Sequence, residues 1–393
     1  MPLKLLSLLF LITNLNANDC ALFRQFPAAK SNLNYQAFCD LPTPITQLKN
    51  LGQTIGYPNV YLKRDDLSGK RLVQIDEQCQ HNDLARVTKL YGGNKGRKLE
   101  WLIADALKQG AHTIMTYGCA GSNHALATCM YAKEFGLKTI LMLIPQPNTN
   151  VARQNLMHNL HLGAEIYHCT DHTSRNFAAQ QILATDPGIY FIPIGGSNAI
   201  GTIGYVNAAF ELYEQIENQT ITVPDLIYVP MGSLGTTTGL LLGLALKKSP
   251  IKIVAVATEP EKAPAHFRDS IKNLFIQTNQ LLHSKDPAIM LVEFPEQQLV
   301  INYQFASNKY GEWTHQDCTT IKLFHDLEQI NLEGTYSAKP VSAFMYDVAT
   351  KQLTNETVLI WETHCGLDFD QEILKQHSYT ELPAAFHHYF ESQ

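Results

Sequence analysis

Short strand-like apolar runs alternate with helix-period segments along most of this chain, and that alternation restricts the folds open to it. His112–Met115, Leu137–Ile144, Glu165–His168, Tyr190–Pro193, Leu226–Val229, Ile251–Ala257 and Val358–Trp361 read as strands. Lys98–Lys108, Ala125–Phe135, Ala152–Leu160, Thr202–Glu217 and Thr238–Lys247 read as the helices between them. Strands joined through helices pair parallel and are covered on their faces, so the pattern predicts an α/β protein with parallel sheets. At 393 residues it can bury one large core or two moderate ones.

Composition excludes some functions. A hydrophobic share of 45% and a charged share of 17% describe a globular protein. A formal charge of −6 with no basic stripe argues against a nucleic-acid partner. Lys4, the apolar run Leu5–Ile12 and the polar exit Thr13–Ala17 read as an export signal over residues 1–17. The run is too short to span a bilayer, and it also fits an N-terminal core helix. Export to the periplasm or medium is the expectation, and the cytoplasm the alternative. In an oxidising compartment Cys20 and Cys39 could pair. His168, Cys169, Asp171 and His172, with His158 and His161, look faintly like metal ligands, but nothing completes a set and no metal is expected.

Three segments carry the chemistry. In Gly92-Gly93-Asn94-Lys95-Gly96-Arg97-Lys98, Lys95 lies between turn-forming glycines at the mouth of a helix. A lysine so placed, if desolvated, can lose its proton and form a Schiff base with an aldehyde cofactor. The same pattern fits a solvated lysine at a helix start. Gly232-Ser233-Leu234-Gly235-Thr236-Thr237-Thr238-Gly239 joins a strand to a helix and suits a small phosphate, or is a plain tight turn. It lacks both the Walker lysine and the dinucleotide spacing. In Gly121-Ser122-Asn123-His124, Ser122 and Asn123 can cap the next helix, and its free N–H groups can hold a carboxylate.

Together, in this order and spacing, these segments resemble the pyridoxal-phosphate enzymes of fold type II (tryptophan synthase β-like) that include 1-aminocyclopropane-1-carboxylate deaminases and D-cysteine desulfhydrases. The resemblance runs from about Leu41 to Phe369. It includes Leu41-Pro42-Thr43-Pro44, Leu62 to Gly69, Ile192 to Asn198, Gly201 to Tyr205, Tyr310-Gly311 and Tyr336-Ser337-Ala338-Lys339. It implies two three-layer α/β domains with the cofactor in the cleft between them. The small domain would be 106–204, and the large one 18–105 with 205–393. Residues 70–90 depart from the family and read as a surface insertion. A homodimer is implied as well.

The resemblance also implies roles. Lys95 would bind the aldehyde of pyridoxal 5'-phosphate and move the Cα proton. Ser233, Leu234, Gly235 and Thr236 would hold the phosphate. Leu234 stands where a glycine is usual, so that loop either shifts or needs no positive φ. Asn123 would bond the 3-hydroxyl. Ser122, Asn123 and His124 would bind the substrate carboxylate, with Ser122 also a candidate proton carrier. Tyr310 and Tyr336 would face the substrate, although packed core tyrosines fit equally. Ser337 and Thr363 would meet the pyridine nitrogen, where deaminases carry glutamate and leucine. Neutral hydroxyls make a weaker electron sink, which is enough for a good leaving group. The expected function is therefore lyase chemistry on a small amino acid, with D-cysteine converted to pyruvate, ammonia and hydrogen sulfide. The rivals are deamination of the cyclopropane amino acid, another small-amino-acid lyase, or a non-catalytic amino-acid-binding homologue. His364 and Cys365 add bulk where the family has glycines and put activity in question.

Overall fold

The computed structural model describes residues 19–69, 71–74, 86–89, 91–260, 265–365 and 376–391. The segment 1–17, expected as an export signal, lies outside them. In chain order, α1 (Ala21–Gln25), β1 (Ile45–Gln47), α2 (Lys49–Ile55) and β2 (Val60–Arg64) precede a strand pair, β3 (Arg71–Gln74) and β4 (Arg86–Lys89). There follow α3 (Asn94–Lys108), β5 (Thr113–Cys119), α4 (Asn123–Glu134), β6 (Lys138–Ile144), α5 (Asn150–His161), β7 (Glu165–His168), α6 (His172–Thr185) and β8 (Ile189–Ile192). The rest comprises α7 (Ala199–Glu217), β9 (Leu226–Met231), α8 (Gly235–Leu246), β10 (Lys252–Ala257), α9 (His266–Lys285), β11 (Leu299–Asn302), α10 (His315–Glu328), α11 (Ala338–Ala349) and β12 (Val358–Glu362).

Two sheets result. One has the order β7-β6-β5-β8 and is parallel throughout. The other has the order β1-β2-β12-β9-β10-β11, parallel except that β1 runs antiparallel to β2. Alternate residues of β9 enter opposite cores. Ile227 and Val229 pack with α7 and α8, whereas Tyr228 packs with Phe344 of α11. That is the three-layer arrangement, and it explains why β9 and β12 read as continuous apolar runs. In the smaller sheet Leu141 and Leu143 face α4 and α5, and Ile140 and Met142 face α6. Within the segment expected as a surface insertion, β3 and β4 pair antiparallel from Arg71–Lys89 to Gln74–Arg86.

The order of each sheet locates the site. From β5 the chain steps to β6 and β7 on one side, then to β8 on the other. From β9 it steps to β10 and β11, then across to β12. Ligands of open α/β sheets bind where the order reverses, beyond the carboxyl ends of the strands. The loops there are Ala120–Ser122, after β5, and Gly232–Leu234, after β9.

A buried ionic web holds α3 to the larger sheet. Arg97 donates to Asp65 Oδ1 at 2.8 Å and to Glu211 Oε2 at 2.9 Å, and Lys63 donates to Glu211 Oε1 at 2.5 Å. Tyr205 and Trp361 each donate to Asp65 Oδ2 at 2.7 Å. These four charged side chains are 0–4% exposed. Close helix contact accompanies the web: a Cβ on Gly239 of α8 would lie 2.5 Å from Tyr205 Cβ, so only glycine lets α8 approach α7.

Cys20 and Cys39 do not pair; both are buried free thiols. They sit in different clusters, Cys20 with Trp101 and Phe210, Cys39 with Tyr131. No group of His, Cys, Asp or Glu among the described residues could hold a metal ion. No helix there is long and apolar enough to cross a membrane.

Burial would raise the Glu211 carboxyl, but Arg97 and Lys63 outweigh it and hold it at about 2. A carboxyl depressed on folding stabilises above its unfolded value, here 4.5, and that stability fades as pH falls toward 2. Glu211→Gln leaves buried Lys63 without a carboxylate and removes one of the two that hold Arg97, and should cost about 3–5 kcal/mol at pH 7. Urea unfolding at neutral pH measures the loss. The variant should also show a shallower acid slope than the wild type.

Candidate active site

Lys95 is placed by a turn that requires glycine. Gly93 has a φ of +81°, and a Cβ there would lie 2.5 Å from the Thr363 carbonyl. The Gly93 N–H donates to the Asp65 carbonyl at 2.7 Å, and the Asn94 N–H to that of Thr363 at 3.1 Å. α3 therefore starts at the carboxyl end of β12, and Lys95 leaves its first turn into the cleft. The amine donates to Asn94 Oδ1 at 2.7 Å and lies 5.4 Å from the centre of the Tyr336 ring. Burial lowers its pKa to about 8, against an opposing pull from Glu333. The alternative of a solvated lysine is set aside, since Lys95 is only 9% exposed.

The loop after β9 forms a concave end to the cleft. The Gly235 N–H donates to the Ser233 carbonyl at 3.0 Å, closing a γ-turn centred on Leu234. Leu234 takes φ 72° and ψ −29°, so the position does need positive φ and a leucine bears it. That conformation costs about 1–2 kcal/mol. Thr236 Oγ1 accepts from Asn94 Nδ2 at 3.2 Å, and Ser233 Oγ accepts from Ser197 at 2.9 Å. The Thr237 and Thr238 hydroxyls are buried without partners.

Lys98, one turn beyond Lys95, was not assigned from the sequence, although its i+3 spacing puts both amines on one helix face. It is 1% exposed and donates to the Gly195 carbonyl at 3.0 Å and to Ser197 Oγ at 3.3 Å. A Cβ on Gly235 would lie 3.1 Å from its amine. Burial and the neighbouring Lys95 push its pKa well below 10.5. The Lys98 amine thus meets the N-terminus of α8, with Lys95 adding to the positive field, and an anion there relieves them.

Across the cleft, Ser122 caps α4 by accepting the Ala125 N–H at 3.2 Å. Its own N–H donates to the Cys119 carbonyl at 2.9 Å, so it is spent within the turn rather than offered to a carboxylate. The N–H groups of Asn123 and His124 open the helix and remain for that task. Asn123 lines both the cleft and the crevice beside Lys95. His124 meets Thr116 Oγ1 at 3.0 Å. Burial, with Lys95 and Lys98, drives its pKa well below 6.5, so the imidazole is neutral. Tyr336 donates to the Tyr310 hydroxyl at 3.1 Å, and both line the cleft. Burial raises both phenols, which stay protonated.

At the inner end, Thr363, His364 and Glu333 line the crevice that holds Lys95. Ser337 does not line it. Its hydroxyl is occupied with the backbone of Glu333, accepting the N–H at 2.8 Å. The group brought there instead is the Glu333 carboxylate, which accepts the N–H groups of Thr335 at 2.8 Å and Tyr336 at 2.5 Å. Glu333 gave no sequence signal, because it lies outside the Tyr336–Lys339 segment. Burial lowers the pKa of His364, and its Nδ1 is buried without a partner.

The pyridoxal-phosphate-dependent enzyme pattern matches residues 86–363. The chain belongs to that family. It is 31% identical over 329 residues to a protein of Pyrococcus abyssi described as a candidate 1-aminocyclopropane-1-carboxylate deaminase, covering 82% of this chain and 88% of that one. It is 27% identical over 334 residues to the D-cysteine desulfhydrase of Klebsiella pneumoniae, covering 83% and 91%. The crystal structure of a 1-aminocyclopropane-1-carboxylate deaminase homologue superposes with a TM-score of 0.68 at 29% identity, covering 89% of this chain and 98% of that one. The fold is that of type II pyridoxal-phosphate enzymes, and the cofactor is pyridoxal phosphate. The residues present fit it: the buried amine of Lys95 suits the aldehyde, and Lys98 with the α8 N-terminus suits the phosphate.

Two outcomes are expected. The apoprotein should capture pyridoxal phosphate at a rate that rises with pH and levels off near 8, followed by visible absorbance. A plateau only near the 10.5 of an ordinary lysine would mean a solvated amine. Leu234→Gly should be more stable than Leu234→Ala by roughly 1 kcal/mol, since both lose the side chain but only glycine relieves the turn. Thermal unfolding of the pair reads the difference.

Proposed function

We propose that the protein eliminates the β-substituent of a small amino acid, with D-cysteine first and pyruvate, ammonia and hydrogen sulfide as products. The observation that carries this reading is a neutralisable lysine and a hydrogen-bonded tyrosine pair facing one cleft of about 840 Å³. That volume suits a small molecule.

Bound pyridoxal phosphate would supply the electron sink for the pair left at Cα. This chain's residues do the rest. The Asn123 and His124 N–H groups hold the substrate carboxylate. Lys95, oriented by Asn94, takes the Cα proton. Tyr336 and Tyr310 hold a proton for the departing sulfur, passing it along their shared hydrogen bond. His124, neutral and buried, adds no charge that would compete for the phosphate.

D-Cysteine is preferred because a thiolate leaves readily and the Thr363 hydroxyl lines the inner crevice. Glu333 favours a second reading, deamination of the cyclopropane amino acid. A carboxylate beside a ring nitrogen keeps it protonated and strengthens the sink, which ring opening needs.

Purified protein should be yellow, and Lys95→Ala should abolish the colour. D-Cysteine, and not L-cysteine, should release hydrogen sulfide at a rate lowered by at least about 100-fold in Tyr336→Phe, the span of a lost general acid. Release of 2-oxobutyrate from the cyclopropane substrate would put the second reading in its place. A colourless protein that binds amino acids would be a non-catalytic homologue.

A further inference from the structure

One buried cation in the cleft is left unused by this chemistry; Lys309, also on the wall, is exposed to solvent. Arg175, on α6, lines the same cleft as Lys95, Tyr310 and Tyr336 and is only 4% exposed. Its guanidinium lies 4.1 Å from the centre of the Tyr117 ring. That stacking holds the plane in place but offers no acceptor. Nε and Nη1 are buried with no hydrogen-bond partner. Among the described residues no carboxylate pairs with Arg175.

A guanidinium does not shed its charge in a protein, so burial cannot be relieved by deprotonation. Burying an unpaired charge with unmade hydrogen bonds is costly, and such charges are normally matched by an anion. Lys98 and the α8 N-terminus already account for the phosphate end, and the Asn123 and His124 N–H groups for the substrate carboxylate. Arg175 sits elsewhere, past Cys119 on the α6 face of the smaller sheet. It calls for a further negative group.

We propose that Arg175 recognises an anionic group carried on the leaving substituent, so that the substrates extend beyond D-cysteine to β-substituted amino acids with a second acid beyond the sulfur or oxygen. This rests on the elimination reading above. The overall reaction is the amino acid plus water giving pyruvate, ammonium and the protonated leaving group. The Cα proton goes to Lys95, and the Cβ–S or Cβ–O bond breaks with its electron pair leaving on the heteroatom.

The holoenzyme tests this with two probes of matched shape, S-carboxymethylcysteine and S-carbamoylmethylcysteine, each as both enantiomers. Calorimetric binding should favour the carboxylate at least about tenfold in the wild type, the effect of one charge-assisted hydrogen bond. Arg175→Gln should erase that preference, leave carbamoylmethyl binding within about twofold and leave cofactor absorbance unchanged. Equal binding of the two probes by the wild type overturns the proposal, whether or not the variant folds. An undiminished preference in Arg175→Gln overturns it too. Pyruvate release is scored separately. Preference without pyruvate supports the anion site and defeats elimination, whereas equal pyruvate and equal binding support elimination and defeat the site.

Discussion

The structure turns on the contact of Arg97 with Asp65 and Glu211. Asp65 works twice. Its carboxylate receives Arg97, Tyr205 and Trp361, and its backbone carbonyl receives the Gly93 N–H. The first set joins α3, α7 and β12 to the loop after β2. The second fixes the turn that launches α3. Lys95 lies two residues from both Gly93 and Arg97, so its direction follows from charges it never touches. Such a web is expensive to desolvate and is tolerable because every member is paired.

The same logic separates structural from functional charge. Lys63, Arg97, Asp65 and Glu211 are paired with one another, and Thr43, Tyr205, Gln215 and Trp361 complete their hydrogen bonds. Lys95 and Lys98 do not: they find an amide, a carbonyl and a hydroxyl, and no carboxylate among the described residues bonds to them. Unsatisfied burial is what makes Lys95 easier to deprotonate than a surface lysine and what makes the adjacent turn attract an anion. Burial produces the first effect, and Lys98 beside the N-terminus of α8 the second.

Much of this was legible in the chain. Strands and helices followed from periodicity because the sheets are covered on both faces, and the apolar runs at Leu226 and Val358 are long for that reason. The three glycine-bearing loops marked the strand–helix turns. What stayed hidden was whatever depends on contacts distant in sequence. The web linking Lys63 to Glu211 spans residues with no common motif. Ser337, a hydroxyl at a familiar position, folds back on its own turn, and Glu333 four residues earlier lines the crevice instead. Cys20 and Cys39 are near in sequence but enter separate cores. Leu234 was the informative departure, because the fold demands an unusual backbone angle there whatever side chain is present.

α3 touches both large sheets. Its start is anchored at Asp65 and Thr363 beside the larger sheet, and Leu102, Ile103 and Ala106 pack with Ile114 and Leu126 of the smaller one. Any rocking of one sheet against the other must therefore pivot on this rod, close to the amine. The nitrogen then keeps its station while the loop at Ser122 swings through an arc. In such rocking the gap between them is the dimension that would change.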